Sequence, residues 1–174
     1  MTESAPAWDL RAFQIPLATQ MERPDAVARI LRHAAALGYN ACWLYAEGAL
    51  QYETHPEISA PWALTKKQFR ELQSGAAGLG MDLVLVIPTL GHAAYIVGAD
   101  AYRHLDETPE VSRQVLRCGH NQLCVSRDET YTLLADILGE WAAVSDSPYL
   151  HVGGDESWHL ATCDTCRRRA APRR

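Results

Sequence analysis

The stretch Leu79-Gly80-Met81-Asp82-Leu83-Val84-Leu85-Val86-Ile87-Pro88 decides the architecture. Leu83 to Ile87 is an unbroken run of branched aliphatic side chains. A strand with one wet face alternates apolar and polar residues. A continuous run reads instead as a strand covered on both faces, the pattern of parallel sheets. Gly80 ends whatever helix precedes it. A buried strand is therefore expected over 82–88.

The same joint occurs 42 residues upstream, where Leu37-Gly38 precedes the run Asn40-Ala41-Cys42-Trp43-Leu44-Tyr45-Ala46. A second buried strand is read over 40–46. Each joint follows a helical pattern. Pro24 suits a first helical turn, and Val27, Ile30, Leu31, Ala34 and Leu37 fall on one stripe. Thr65 and Gln68 form a capping box ahead of the stripe Phe69, Leu72, Ala76 and Leu79. Gly75 and Gly78 each weaken that helix by about 1 kcal/mol relative to Ala. A first strand is read over 9–17. After a long loop over 90–122, Ser126 and Glu129 suggest another capping box. The helix that follows carries Tyr131, Leu134, Leu138 and Trp141 on one face. Ser147-Pro148 breaks it, and a last short strand is read over 149–152.

Strands alternating with helices imply a parallel sheet. Four such units in 174 residues fit either a small open α/β sheet or half of an eight-unit barrel, which normally needs about 250 residues.

The last strand runs into Gly153-Gly154-Asp155-Glu156. Neighbours on an extended strand point to opposite faces, so two adjacent acids serve one site only where the chain turns. Alone, such a pair is most often a solvated turn, because charged residues are mostly exposed. At the carboxyl end of a parallel strand it also suits acid/base work on a bound substrate.

Composition narrows the classes. The formal net charge of −5 argues against a nucleic-acid partner. No run is long enough to span a membrane. The polar start of the chain lacks the apolar core of a signal peptide, so a cytoplasmic location is expected. Five cysteines do not make a disulfide framework, and a reducing cytosol argues against a Cys118–Cys124 pair. Cys163-Asp164-Thr165-Cys166 is a single Cys-x-x-Cys, with His151 and His159 upstream. One pair is weak evidence for zinc, so no metal ligand and no cofactor are assigned. Arg167, Arg168, Arg169, Arg173 and Arg174 read as a disordered tail over 167–174, leaving one domain over 1–166.

His151-Val152-Gly153-Gly154-Asp155-Glu156 resembles the His-x-Gly-Gly-Asp-Glu signature of glycoside hydrolase family 20, the β-N-acetylhexosaminidases. Other stretches match in order. Leu10-Arg11-Ala12-Phe13 is similar to the family's first strand, and Leu37-Gly38-Tyr39-Asn40 to the join into the second. Tyr45-Ala46-Glu47-Gly48 resembles the second strand's end, where members carry acids. Leu64-Thr65-Lys66-Lys67-Gln68 is similar to the start of the second helix. Thr89-Leu90-Gly91-His92 resembles a segment whose histidine lines the site. Leu123-Cys124-Val125-Ser126-Arg127-Asp128-Glu129-Thr130-Tyr131 is similar to Leu-Cys-Pro-Ser-Asn-Pro-Glu-Thr-Tyr, with both prolines and the Asn replaced.

The resemblance implies a (β/α)8 barrel of which only the first four units are present. It implies removal of terminal β-linked N-acetylglucosamine or N-acetylgalactosamine from a glycan by substrate-assisted retaining catalysis. Asp155 would orient the acetamide and Glu156 would act as general acid/base. Arg11 would bind ring hydroxyls, His92 and His151 would line or brace the site, and Glu47 would join them. Trp43, Trp141 and Trp158 are expected to pack rather than bind sugar. The alternatives are an inactive fragment, or a weak sugar-binding half-barrel that needs a partner to complete its site. A complete small α/β domain of unrelated function is disfavoured by the ordered set of matches. Open sheet edges predict self-association.

Overall fold

The computed structural model describes residues 8–18, 20, 22–110 and 121–170. Met1 to Pro6, Cys118 and the last part of the expected tail, residues 171–174, lie outside them. Four strands, β1 (Ala12–Pro16), β2 (Ala41–Tyr45), β3 (Asp82–Val86) and β4 (Leu150–His151), form one sheet in the order β1-β2-β3-β4. Every neighbouring pair is parallel. Helix α1 (Pro24–Ala36) joins β1 to β2 and α2 (Lys66–Ala77) joins β2 to β3. The short α3 (Ala94–Val97) and the longer α4 (Asp128–Ala142) lie between β3 and β4, and α5 (Asp164–Ala170) follows.

The strand order separates the two architectures left open by the sequence. A doubly wound sheet reverses direction at a switch point, whereas sequential parallel neighbours without reversal are the order of a barrel wall. The faces agree. Ile15, Leu17, Cys42, Leu44, Leu83, Leu85 and Ile87 join the helices' apolar stripes in one core. That core takes Val27, Leu31 and Ala34 from α1, Phe69, Leu72 and Ala76 from α2, and Leu133, Leu134, Ile137 and Trp141 from α4. The alternate residues belong to the other face. There Gln14, Pro16 and His151 are exposed, and Trp43 and Tyr45 are half-buried. Helices cover one face of the sheet, as in a segment of barrel wall seen from its axis.

Local signals set most boundaries. The Thr65 hydroxyl accepts from the Gln68 N–H and the Gln68 side chain accepts from the Thr65 N–H, a complete capping box. The second expected box does not form. Arg127 occupies the N-cap of α4 without a side-chain cap, and Glu129 turns instead to His104, 2.7 Å away. The buried face of α4 is also rotated, since Tyr131 is exposed while Leu133 and Ile137 are buried. Arg167, Arg168 and Arg169 lie on α5, not in a tail, because the buried Cys166 anchors that helix. No helix among the described residues is long and apolar enough to cross a membrane.

Candidate active site

In a parallel sheet all strands exit at one end, so their following loops converge. The segment after β2 supplies Glu47, the segment after β3 supplies His92, and the turn after β4 supplies Asp155 and Glu156. His92 is the centre. Its Nε2 lies 3.0 Å from Glu156 Oε2 and 3.3 Å from Asp155 Oδ2, and its Nδ1 lies 3.7 Å from Glu47 Oε1. The Tyr45 ring meets the imidazole edge-on at 5.8 Å. Both ring nitrogens of His92 and Glu47 Oε1 are buried without an in-line hydrogen bond among the described residues. Buried polar atoms normally have such partners.

Glycines and one hydroxyl bring these loops together. Ile87 N–H donates to the His151 carbonyl at 2.9 Å, extending the β3–β4 ladder. The Thr89 hydroxyl donates to the Val152 carbonyl, also at 2.9 Å. Gly153 has φ +66°, and a β-carbon there would stand 2.9 Å from Pro88 Cα. Gly91 lies against the Asp155 backbone, where any β-carbon would collide with the carbonyl oxygen.

The backbone is strained at this point as well. Four non-glycine residues among those described have positive φ: Glu47 at 45°, His92 at 55°, Glu156 at 50° and Ala161 at 61°. Three of the four are site residues. Such conformations cluster at functional sites because surrounding contacts must hold them.

Environment separates the acids. Glu47 is only 7% exposed. Burial pushes its carboxyl up to about 7, the Asp155 charge adds to the rise, and a hydrogen bond from Tyr45 opposes it. The Asp155 and Glu156 side chains are 57% and 47% exposed. A buried carboxyl inclined to keep its proton thus stands near two open ones, on opposite sides of one imidazole.

His151 braces the turn. Its Nδ1 accepts from Gly153 N–H at 3.1 Å, and its ring packs on Trp43 with centroids 5.5 Å apart. Arg11 does not join the site. It precedes the first residue of β1, at the opposite end of the sheet from the acids, and its guanidinium donates to the Gly38 and Trp8 carbonyls. The order of residues in a matched strand does not by itself say which end of that strand a side chain serves. Thr89, Gly91 and Tyr45 also shape the site, and all three fall within the matched stretches, where no local signal marks them as site residues.

The family model for the catalytic domain of glycosyl hydrolase family 20 matches residues 40–172. The chain belongs to glycoside hydrolase family 20. Among curated proteins, this family 20 chain is 24% identical over 170 residues to the beta-hexosaminidase subunit beta of Entamoeba histolytica, matching 91% of the chain and 30% of that protein. Among solved structures it resembles the family 20 beta-N-acetylhexosaminidase of Streptomyces coelicolor A3(2), with a TM-score of 0.75 and 25% identity over 87% of the chain. The Flavobacterium johnsoniae chitobiase shares the fold at a TM-score of 0.78 and 19% identity over 94% of the chain. The chain spans 34% and 26% of those two structures. It is therefore a partial (β/α)8 barrel, four parallel strands of a family 20 catalytic domain.

A second cluster lies apart from the acids. Glu107, Cys124, Cys163 and Cys166 bring their ligating atoms within 4.8 Å of one another, a donor set able to hold a metal ion. The sequence offered only the Cys163/Cys166 pair, because Glu107 and Cys124 are distant along the chain.

Proposed function

We propose that this chain carries the acid/base half of a β-N-acetylhexosaminidase site, acting on terminal β-linked N-acetylglucosamine or N-acetylgalactosamine of a glycan. The single observation that carries the reading is the sharing of His92 Nε2 by Asp155 and Glu156 at the sheet's carboxyl end. It brings both carboxylates to one small region, as a two-acid mechanism needs.

The chemistry follows from the substrate. The acetamido oxygen attacks the anomeric carbon as the bond to the leaving oxygen breaks, closing a five-membered ring. Glu156 gives its proton to the leaving oxygen. Asp155 accepts from the acetamide N–H and offsets the positive charge that spreads over the ring. Glu156, now a carboxylate, takes a proton from the water that reopens the ring at the anomeric carbon, and the configuration is retained. His92 holds both acids in place, Glu47 backs His92, and His151 braces the turn.

The test is hydrolysis of an aryl N-acetyl-β-glucosaminide by the chain beside a Glu156→Gln variant. Turnover by the parent, lost in the variant with sugar binding kept, supports the reading. Equal turnover in both overturns it.

A second reading has its own support. The Asp155 and Glu156 side chains are half-exposed, and among the described residues the helix stripes pack on the sheet face opposite Trp43, Tyr45 and His151. On this reading the half-barrel is inactive or weakly sugar-binding until another surface covers that face, and its edges β1 and β4 drive self-association. Sedimentation decides it: association accompanied by activity favours completion by a partner copy, and a well-folded monomer that turns over substrate rules it out.

A further inference from the structure

The cluster of Glu107, Cys124, Cys163 and Cys166 lies outside the acid site and has no role in the chemistry above. We propose that these four residues form a structural zinc site that clamps the segment following the acid turn onto the loop following β3.

Backbone pairing assembles it. Glu107 N–H donates to the Gln122 carbonyl and Cys124 N–H to the Leu105 carbonyl, both at 2.8 Å. This tether sets Glu107 beside Cys124 although 16 residues separate them. The chain beyond the acids then docks on the tether. His159 N–H donates to Gln122 Oε1 at 3.2 Å, and Cys163 N–H donates to Glu107 Oε1 at 2.6 Å. The latter bond matters for ligation: it fixes one carboxylate oxygen and leaves Oε2 facing the sulfurs, 3.4 Å from Cys166 Sγ. Orientation of a ligating carboxylate by such a bond is a regular part of metal sites.

The spacings suit a tetrahedral ion. Cys124 Sγ lies 3.5 Å from both Cys163 Sγ and Cys166 Sγ. Zinc with bonds of about 2.3 Å to sulfur and about 2.1 Å to oxygen has S···S edges of about 3.8 Å and S···O edges of about 3.6 Å. The Cys124–Cys163, Cys124–Cys166 and Cys166–Glu107 edges match these values within a few tenths of an ångström, and all four donor atoms lie within 4.8 Å of one another. Cys166 N–H also approaches Cys163 Sγ at 3.5 Å, a contact that orients this sulfur within the Cys-x-x-Cys turn.

Disulfide formation explains the cluster less well. Cys124 stands equally far from the other two sulfurs, so its geometry selects neither pairing. Any pair would leave one thiol facing the buried carboxylate, whose Oε1 is held by the Cys163 N–H but whose Oε2 would meet only a weak S–H donor. Glu107, Cys124 and Cys166 are all buried. Three sulfurs and one carboxylate select a borderline-soft ion over magnesium or calcium. Cys163 lines an open cleft of about 780 Å³ that also touches Asp106 and Arg127, giving an ion a way in.

The site would act on stability and loop order rather than on chemistry. Cys163 is seven residues beyond Glu156, and the Leu105–Cys124 tether lies on the same long segment as His92. A bound ion would join the two loops that carry the centre of the acid site, with no contact to substrate.

The experiment loads the full chain with cobalt(II) under reducing conditions, then displaces it with zinc and measures retained zinc by mass spectrometry. Expected are thiolate-to-cobalt charge-transfer bands with tetrahedral d–d bands, and one zinc retained per chain. Cys166→Ser should lose the tetrahedral spectrum, and Glu107→Gln should weaken zinc binding about tenfold or more. An octahedral or absent cobalt spectrum from folded protein overturns the proposal, as does unchanged zinc affinity in both variants. If Cys166→Ser does not fold, the parent's cobalt spectrum and the Glu107→Gln affinity decide. A disulfide among these cysteines that persists in reductant and blocks loading also overturns it.

Discussion

Gly91 packs directly on the backbone of Asp155. A β-carbon at position 91 would collide with the Asp155 carbonyl oxygen and come within 3.3 Å of the Glu156 carbonyl group. Neither partner is a flexible side-chain end, so one of the two loops must move. Gly91→Ala is therefore expected to displace the acid turn and reduce turnover about 100-fold, the scale of a misplacement near 1 Å. Gly75→Ala is the control. It sits in α2 with nothing within 4 Å, and should stabilise the chain by about 0.5–1 kcal/mol. Kinetics and thermal melting of the two variants check the pair; Gly91→Ala with parental turnover would show that the loops do not depend on this contact.

Glu47 makes the fold sensitive to pH in one direction. Its folded carboxyl is pushed up to about 7 from an ordinary 4.5. The native state then holds a proton that the unfolded chain has released, so stability falls as pH rises between these values and levels off above about 7. The whole effect is at most about 3 kcal/mol. Glu47→Gln removes the titrating group. Its urea midpoint is expected to rise relative to the parent at pH 8 and to show little relative gain at pH 4. A constant difference across that range would remove Glu47 as the cause.

Much of this was legible from sequence, and the exceptions share a physical cause. The aliphatic run at Leu83 to Ile87, the Thr65–Gln68 box and the Gly-Gly-Asp-Glu turn are local signals, set by periodicity, capping and backbone freedom within a few residues. The failures are tertiary. Glu129 is taken by His104, so Ser126 and Glu129 do not close a second box. Arg11 matches a strand motif yet stands at the end of the sheet away from the acids. The three arginines at 167–169 have no apolar period of their own, and form a helix where Cys166 is buried. Glu107 and Cys124 meet the Cys-x-x-Cys pair only through backbone pairing across a long loop.

Glu140 fastens α4 to the loop between β2 and α2. Its carboxylate accepts from Glu53 N–H at 2.8 Å, Thr54 N–H at 3.0 Å and the Thr54 hydroxyl at 2.6 Å, and meets Lys66 Nζ at 3.0 Å. Burial pushes this carboxyl up, but the hydrogen bonds and Lys66 outweigh it and bring it down to about 2. Here the sign is the reverse of Glu47: the stabilisation is present above about 4.5 and is lost as pH falls toward 2. Glu140→Gln should cost about 2–3 kcal/mol at pH 7 and much less near pH 3. Urea unfolding at both values checks it, and an equal cost at both would mean that charge is not what matters.

Glu156 has φ +50°, a left-handed conformation that costs an ordinary L-residue about 1–2 kcal/mol. The chain accepts this strain at the residue proposed as the proton donor, and its half-exposed side chain offers little packing to offset it. Two truncations isolate the backbone contribution. Glu156→Ala and Glu156→Gly both remove the carboxylate and its 3.0 Å approach to His92, so both should lose turnover equally. They differ in the freedom of residue 156. At most positions Ala gives the more stable protein, because Gly loses more entropy on folding. At a left-handed position the order inverts, and Glu156→Gly should be more stable than Glu156→Ala by about 1 kcal/mol. Thermal melts of the two inactive variants measure this directly. If the Ala variant melts at the same or a higher temperature, the turn relaxes without cost, and backbone strain has no part in presenting Glu156 to substrate.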